Sequence, residues 1–130
     1  MLTRRTLLKA AACAACAAGL PAVALGGGLF TQAAFEAAQK AGRPILVDIS
    51  ASWCSTCKAQ KPILSALSKS ETFKDFVMLE VDFDSQKDVV RALKARNQST
   101  LIVFKGINEV GRSVGDTDPD SIEALLSKAL

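Results

Sequence analysis

Ile45-Leu46-Val47-Asp48-Ile49 is apolar at every position but one. A strand with one wet face would alternate, so this run reads as a strand buried on both faces. Such a strand needs a sheet covered on both sides, and the alternation of strands with helices along the rest of the chain points to helices as the covers, an α/β architecture. Directly after it comes Trp53-Cys54-Ser55-Thr56-Cys57-Lys58. Two thiols three residues apart, where a strand gives way to a helix, occupy a position at which sulfur can be made reactive.

The flanking patterns fill in the layers. Thr31 can cap a helix carrying Ala34, Ala37, Ala38 and Ala41 at helical spacing, with Gly42 as its stop and Pro44 beyond. A second helix is expected over 55–69, with Ile63, Leu64 and Leu67 inward and Pro62 kinking it. Residues 76–83 alternate as a strand. Ser85 with Asp88 resembles a helix start, and that helix should bury Val89, Val90 and Leu93. Leu101 to Phe104 and Val110 to Val114 form two strands whose short link, with Gly106 in it, makes them antiparallel. Asp118 caps a last helix, Pro119 takes its first position, and Ile122, Leu125, Leu126 and Ala129 face inward. A parallel pair with right-handed crossover, closed by an antiparallel hairpin, gives a mixed sheet of about four strands between helices.

The N-terminus has another character. Arg4, Arg5 and Lys9 precede an Ala-rich stretch, then Gly19-Leu20-Pro21 and the small-x-small site Ala22-Val23-Ala24. Residues 1–24 therefore read as an export signal, 25–32 as a short linker and 33–130 as the domain, with the bacterial periplasm as destination. Thr3-Arg4-Arg5-Thr6-Leu7-Leu8-Lys9 is similar to the twin-arginine export motif; an ordinary Sec leader with adjacent arginines is the alternative.

Export would change two totals. The 16 basic and 13 acidic residues differ by the three cations of the leader, so the remainder is balanced and offers no net charge for nucleic acid or anionic lipid. Of the 4 cysteines, Cys13 and Cys16 belong to the leader, leaving Cys54 and Cys57. A disulfide between these closes a loop too small to staple a fold.

This order of elements around Trp-Cys-x-x-Cys-Lys resembles the thioredoxin family from about Ala33 to Leu130. Asp48 stands six residues before Cys54 like the family's buried aspartate, and Pro62 five after Cys57 like its helix kink. Residues 79–84 and 100–105 look like two of its strands, and Gly115 matches a glycine beside its substrate groove. The resemblance implies a three-layer fold and thiol–disulfide exchange on protein disulfides. It further implies a monomer with no cofactor, kept reduced by a membrane electron carrier of the DsbD or CcdA type. Thioredoxins carry a cis-proline where Gln98-Ser99-Thr100 places Ser99. A cis peptide before a non-proline residue costs about 3 to 4 kcal/mol, so a trans bond is expected here. Gln98, Ser99, Thr100 and Gly115 would form the substrate groove.

At a helix start the unpaired N–H groups favour thiolate, so Cys54 is expected to attack and Cys57, one turn inward, to resolve the mixed disulfide. Asp48, among apolar neighbours, should hold its proton more tightly and exchange it with Cys57; alternatively it is a strand-end acid satisfied by backbone donors. Trp53, Ser55, Thr56 and Lys58 shape the site, although Trp53 could be a packing aromatic and Lys58 simply solvated. The pair Ser55-Thr56 lacks the His of strongly oxidising relatives. An oxidase or isomerase is one competing reading. A Cu(I)-binding module is another, though the chain has no His and no metal site is assigned. A chaperone-like use of the fold without turnover is the third.

Overall fold

The computed structural model describes residues 28–130, so the leader, with its twin-arginine motif and small-x-small site, lies outside the described residues. The order of elements is β1 (Gly28–Leu29), α1 (Gln32–Lys40), β2 (Pro44–Ser50), α2 (Ser55–Lys69), β3 (Val77–Asp82), α3 (Lys87–Ala92), β4 (Thr100–Lys105), β5 (Asn108–Val114) and α4 (Pro119–Ser127). The five strands lie in the order β1-β3-β2-β4-β5. β2 runs parallel to β3 and antiparallel to β4, and β4 pairs antiparallel with β5.

One strand more is present than the hydropathy pattern suggested. Gly28 and Leu29 pair with Leu79 and Glu80, Phe30 is buried, and Thr31 caps α1. Residues 28–31, read as part of a linker, thus contribute a sheet edge, a core side chain and a helix cap. Two residues are too few to carry a period, which is why the pattern did not show it.

As the centre of the sheet, β2 splits the core in two by its own alternation. Ile45, Val47 and Ile49 face α1 and α3 with Phe30, Phe35, Val90 and Phe104. Leu46 faces the other way, among Leu64, Phe73, Leu101, Ile122 and Leu126, under α2 and α4. Asp48 and Ser50 share the Leu46 side because side chains repeat every second residue.

Two helices differ from their expected form. In α1 the buried residues are Phe35 and Ala38, while Ala37 and Ala41 are exposed, because the large ring dictates which face turns inward. α3 starts at Lys87 with Gln86 as its cap position and no side-chain capping bond there. Asp82 Oδ1 has already taken the N–H groups of Asp84 and Ser85, and Gln86 turns back to accept from Asp82 N and donate to Phe30 O. Within α3 only Val90 is fully buried; Val89 and Leu93 are half-buried. The last helix has Asp118 and Pro119 in the expected roles, with Ile122, Leu125, Leu126 and Ala129 all buried.

Candidate active site

The end of β2 and the start of α2 hold the two thiols. Ala51 accepts the N–H of Cys54, and Cys54 is the cap residue of α2: its Sγ accepts from Cys57 N at 3.1 Å. Cys54 is 4% exposed and Cys57 1%, both as free thiols, packed with Ala51 and Phe83. A sulfur in a capping position takes the place that Ser or Asp oxygen usually fills, so the first turn of the helix addresses its donors to sulfur.

The consequence is an unequal pair. Burial by itself pushes the Cys54 thiol up, but the Cys57 thiol, the backbone N–H groups of Cys57 and Thr56 and the Ser99 hydroxyl all stabilise its thiolate, and the net effect lowers its pKa. Cys57 moves the other way. Burial raises it first and the hydrogen bond and charge of Cys54 add to that, against smaller lowering contributions from the Ala51 backbone and the Ser50 hydroxyl. At a pH between the two, Cys54 is the ionised sulfur and Cys57 the protonated one.

Asp48 lies on the same face of β2 as Ser50, whose hydroxyl acts on Cys57. The two are one strand repeat apart, about 7 Å along the chain. Desolvation first, and the charge of Glu80 second, raise the Asp48 pKa to about 6 against the opposing charge of Lys61. Its Oδ1 is buried without a hydrogen-bond partner, so backbone donors do not satisfy this carboxyl. The carboxyl borders a cavity of about 270 Å³ walled by Leu64, Ser65, Met78 and the Lys61–Glu80 ion pair. Glu80 is the direct β3 partner of Asp48, which accounts for the repulsion.

The loop before β4 closes the site from the opposite side. Ser99 is buried at 5% exposure, with φ of 55°, and no peptide bond among the described residues is cis. Its carbonyl accepts from Gly115 N at 2.9 Å and from Gln60 Nε2 at 3.3 Å, and its hydroxyl reaches Gln98 O at 2.7 Å. Thr100 is buried and hydrogen-bonds Asn97 O. Gln98 is half-buried, and Gly115 has φ of 71°, a conformation L side chains rarely adopt. All four groove positions named from the sequence therefore lie in one loop cluster around Ser99.

Of the shaping residues, Trp53 is 58% exposed; its Nε1 donates to Asp84 at 2.8 Å and its ring meets Phe83 edge-on at 6.5 Å. Ser55 and Lys58 are exposed, and Thr56 is half-buried. Gln60 was not foreseen. It is fully buried on α2, and its amide ties Ser99 O to Asp116 O, bracing the loop against the helix that carries both thiols. Its place, three residues after Cys57 on the inner face, was the available signal.

Comparison with known proteins agrees with this geometry. The chain is 37% identical to thioredoxin Asp f 29 of Aspergillus fumigatus over 91 residues, 70% of this chain and 82% of that one. It is 39% identical to the thioredoxin of Chlamydia trachomatis over 84 residues, covering 65% and 80% of the two chains. The crystal structure of Trxlp from Edwardsiella tarda superposes with a TM-score of 0.76 at 37% identity, covering 78% of this chain and 98% of that one. The thioredoxin family profile spans residues 28–128, and the chain belongs to the thioredoxin family, whose members are thiol–disulfide oxidoreductases.

Proposed function

We propose that the chain is an exported reductase of protein disulfides in which Cys54 attacks and Cys57 resolves. The observation that carries this reading is the capping position of Cys54, where helix donors and the Ser99 hydroxyl favour a thiolate beside a protonated, less accessible Cys57. The Cys54 thiolate bonds to one substrate sulfur as the substrate S–S bond breaks, and the departing sulfur takes up a proton. Cys57 then gives its proton to the Asp48 carboxylate and attacks Cys54 Sγ, expelling the second substrate sulfur. Two electrons pass from the dithiol to the substrate, leaving a Cys54–Cys57 disulfide.

Because Cys54 and Cys57 are separated by only two residues, the disulfide forms without rearranging the fold, and a dithiol donor must reset it. A membrane carrier of the DsbD or CcdA type suits an exported monomer, and the periplasm is where the leader of residues 1–24 would deliver it by the twin-arginine route. The position of Ser99 in the groove loop is that of the family's cis-proline. Trapping with Cys57→Ser tests the reading: a mixed disulfide on Cys54 should accumulate in the periplasmic fraction, and the absence of any adduct would remove exchange chemistry. Equilibration with glutathione assigns the direction. A potential nearer about −120 mV than about −270 mV would replace the reductase with an oxidase.

A further inference from the structure

We propose that the groove beside Cys54, floored by Phe83 and Val90 and rimmed by Lys87, Arg91 and Arg96, docks an acidic segment of the disulfide-bearing protein. This rests on the exchange chemistry proposed above and names the class of partner.

The groove is a space of about 360 Å³. Phe83 links it to the chemistry, since the same ring packs against the cluster of Ala51, Cys54 and Cys57 and meets Trp53 edge-on. A segment lying on Phe83 therefore extends from the attacking sulfur. Lys87 and Arg91 stand one helical turn apart on α3, and Arg96 follows the turn at Lys94 that leads to the Ser99 loop. All three cations are exposed. Asp88 pairs with Arg91 and Asp84 keeps its charge while accepting from the Trp53 indole, but the residues that line the groove include three cations and no acid, and Lys87 and Arg96 have no ion-pair partner among the described residues.

Past Ser99 the sign changes. Gly115 and Gln60 join the Ser99 carbonyl to the segment Asp116-Thr117-Asp118-Pro119-Asp120. The thiol pair thus sits between a cationic flank with an apolar floor and an anionic flank. Without these three cations the 13 basic groups of residues 28–130 fall to 10 against 13 acidic ones, so the rim is local patterning and not a by-product of net charge. Complementarity requires an apolar residue for Phe83 and Val90 with acidic neighbours for the rim. The chain's own N-terminus is a poor occupant, because Arg4, Arg5 and Lys9 repeat the charge of the rim.

Two synthetic peptides with the same disulfide and the same Leu, flanked by Glu in one and Lys in the other, test the proposal on the reduced full-length chain. The Glu peptide should be reduced about ten-fold faster at low salt, and its advantage should shrink as salt rises. Arg91→Glu/Arg96→Glu should invert the preference, and Lys87→Glu/Arg96→Glu should do the same without touching the Asp88 pair. Lys74→Glu/Lys128→Glu, which changes charge away from the groove, should leave the preference as it was. Reduction of neutral dithiodipyridine should be equal in all variants, which separates docking from chemistry: its failure in the parent chain would remove the exchange reading itself. Equal rates for the two peptides, or inversion by the remote variant, would overturn the groove. So would concentration-dependent dimerisation abolished by Arg91→Glu/Arg96→Glu, which would assign the groove to the anionic flank of a second copy.

Discussion

Gln60 Nε2 donates to the carbonyl oxygen of Ser99 at 3.3 Å and to that of Asp116 at 2.8 Å, from a side chain that is itself fully buried. Through this one amide, the helix carrying both thiols holds the loop that faces them. Gln60→Leu keeps the volume but strips a donor from two carbonyls, of which Ser99 O keeps a second donor in Gly115 N. The loss should be about 1 to 2 kcal/mol, moderated because Gln60 Oε1 has no partner to lose. Urea denaturation measures it. Mixed-disulfide formation by the same variant should slow, since the loop is no longer braced.

Asp48 imposes a pH dependence on stability. Folded, it holds its proton to about pH 6, whereas its ordinary value is 3.8, so between these values the folded chain binds more protons than the unfolded one. The Asp48 contribution to stability is therefore fully present below 3.8, is lost as pH rises through the window and levels off above about 6. The total is on the order of 3 kcal/mol. Asp48→Asn should flatten this profile and stabilise the chain above pH 7 by about 1 to 2 kcal/mol, read from denaturation midpoints across pH. The same variant should release substrate from the mixed disulfide more slowly, because Cys57 has lost its proton acceptor.

The Ser99 hydroxyl has one proton and two acceptors, the Gln98 carbonyl at 2.7 Å and the Cys54 thiolate. At φ of 55° a non-glycine backbone is strained, so Ser99→Gly relieves strain while deleting the hydroxyl. Stability should change by less than about 1 kcal/mol, since glycine's greater freedom when unfolded offsets the relief. The pH profile of Cys54 alkylation should shift upward by about half a unit to one unit. Ser99→Thr should restore it.

Trp53 is the sole tryptophan and stands next to Cys54 in the chain. Its emission should change when the Cys54–Cys57 disulfide forms, which gives a direct assay of turnover. Trp53→Phe removes the hydrogen bond to Asp84 and leaves that carboxylate free beside the groove. Reduction of an acidic peptide should then slow more than reduction of a neutral one, and stopped-flow kinetics with a thiol dye would detect the difference.

Much of the fold was legible wherever the pattern was long or chemically pointed. The limits of α2, the caps Thr31 and Asp118, the parallel β2–β3 pair and the closing hairpin all follow from periodicity and from residues with a single mechanical use. The misses share one cause. A two-residue edge strand, the start of α3 and the inner face of α1 were each decided by partners distant in sequence: Leu79 for Gly28, Phe30 O for Gln86, and Phe104 for Phe35. Local pattern carries no information about such partners.

The site divides in the same way. The amino-acid order alone determined that two thiols would meet the first turn of a helix after a buried strand with one carboxylate in it, because spacing and hydropathy are local properties. Tertiary structure decided what those groups became. Ser99 comes to Cys54 from 45 residues away along the sequence, Gln60 clamps that loop, burial and Glu80 raise the proton affinity of Asp48, and Phe83 extends the sulfur site toward a groove lined by cations. Desolvation and hydrogen bonding act through space, so the reactivity of each group is set only once the chain has closed around it.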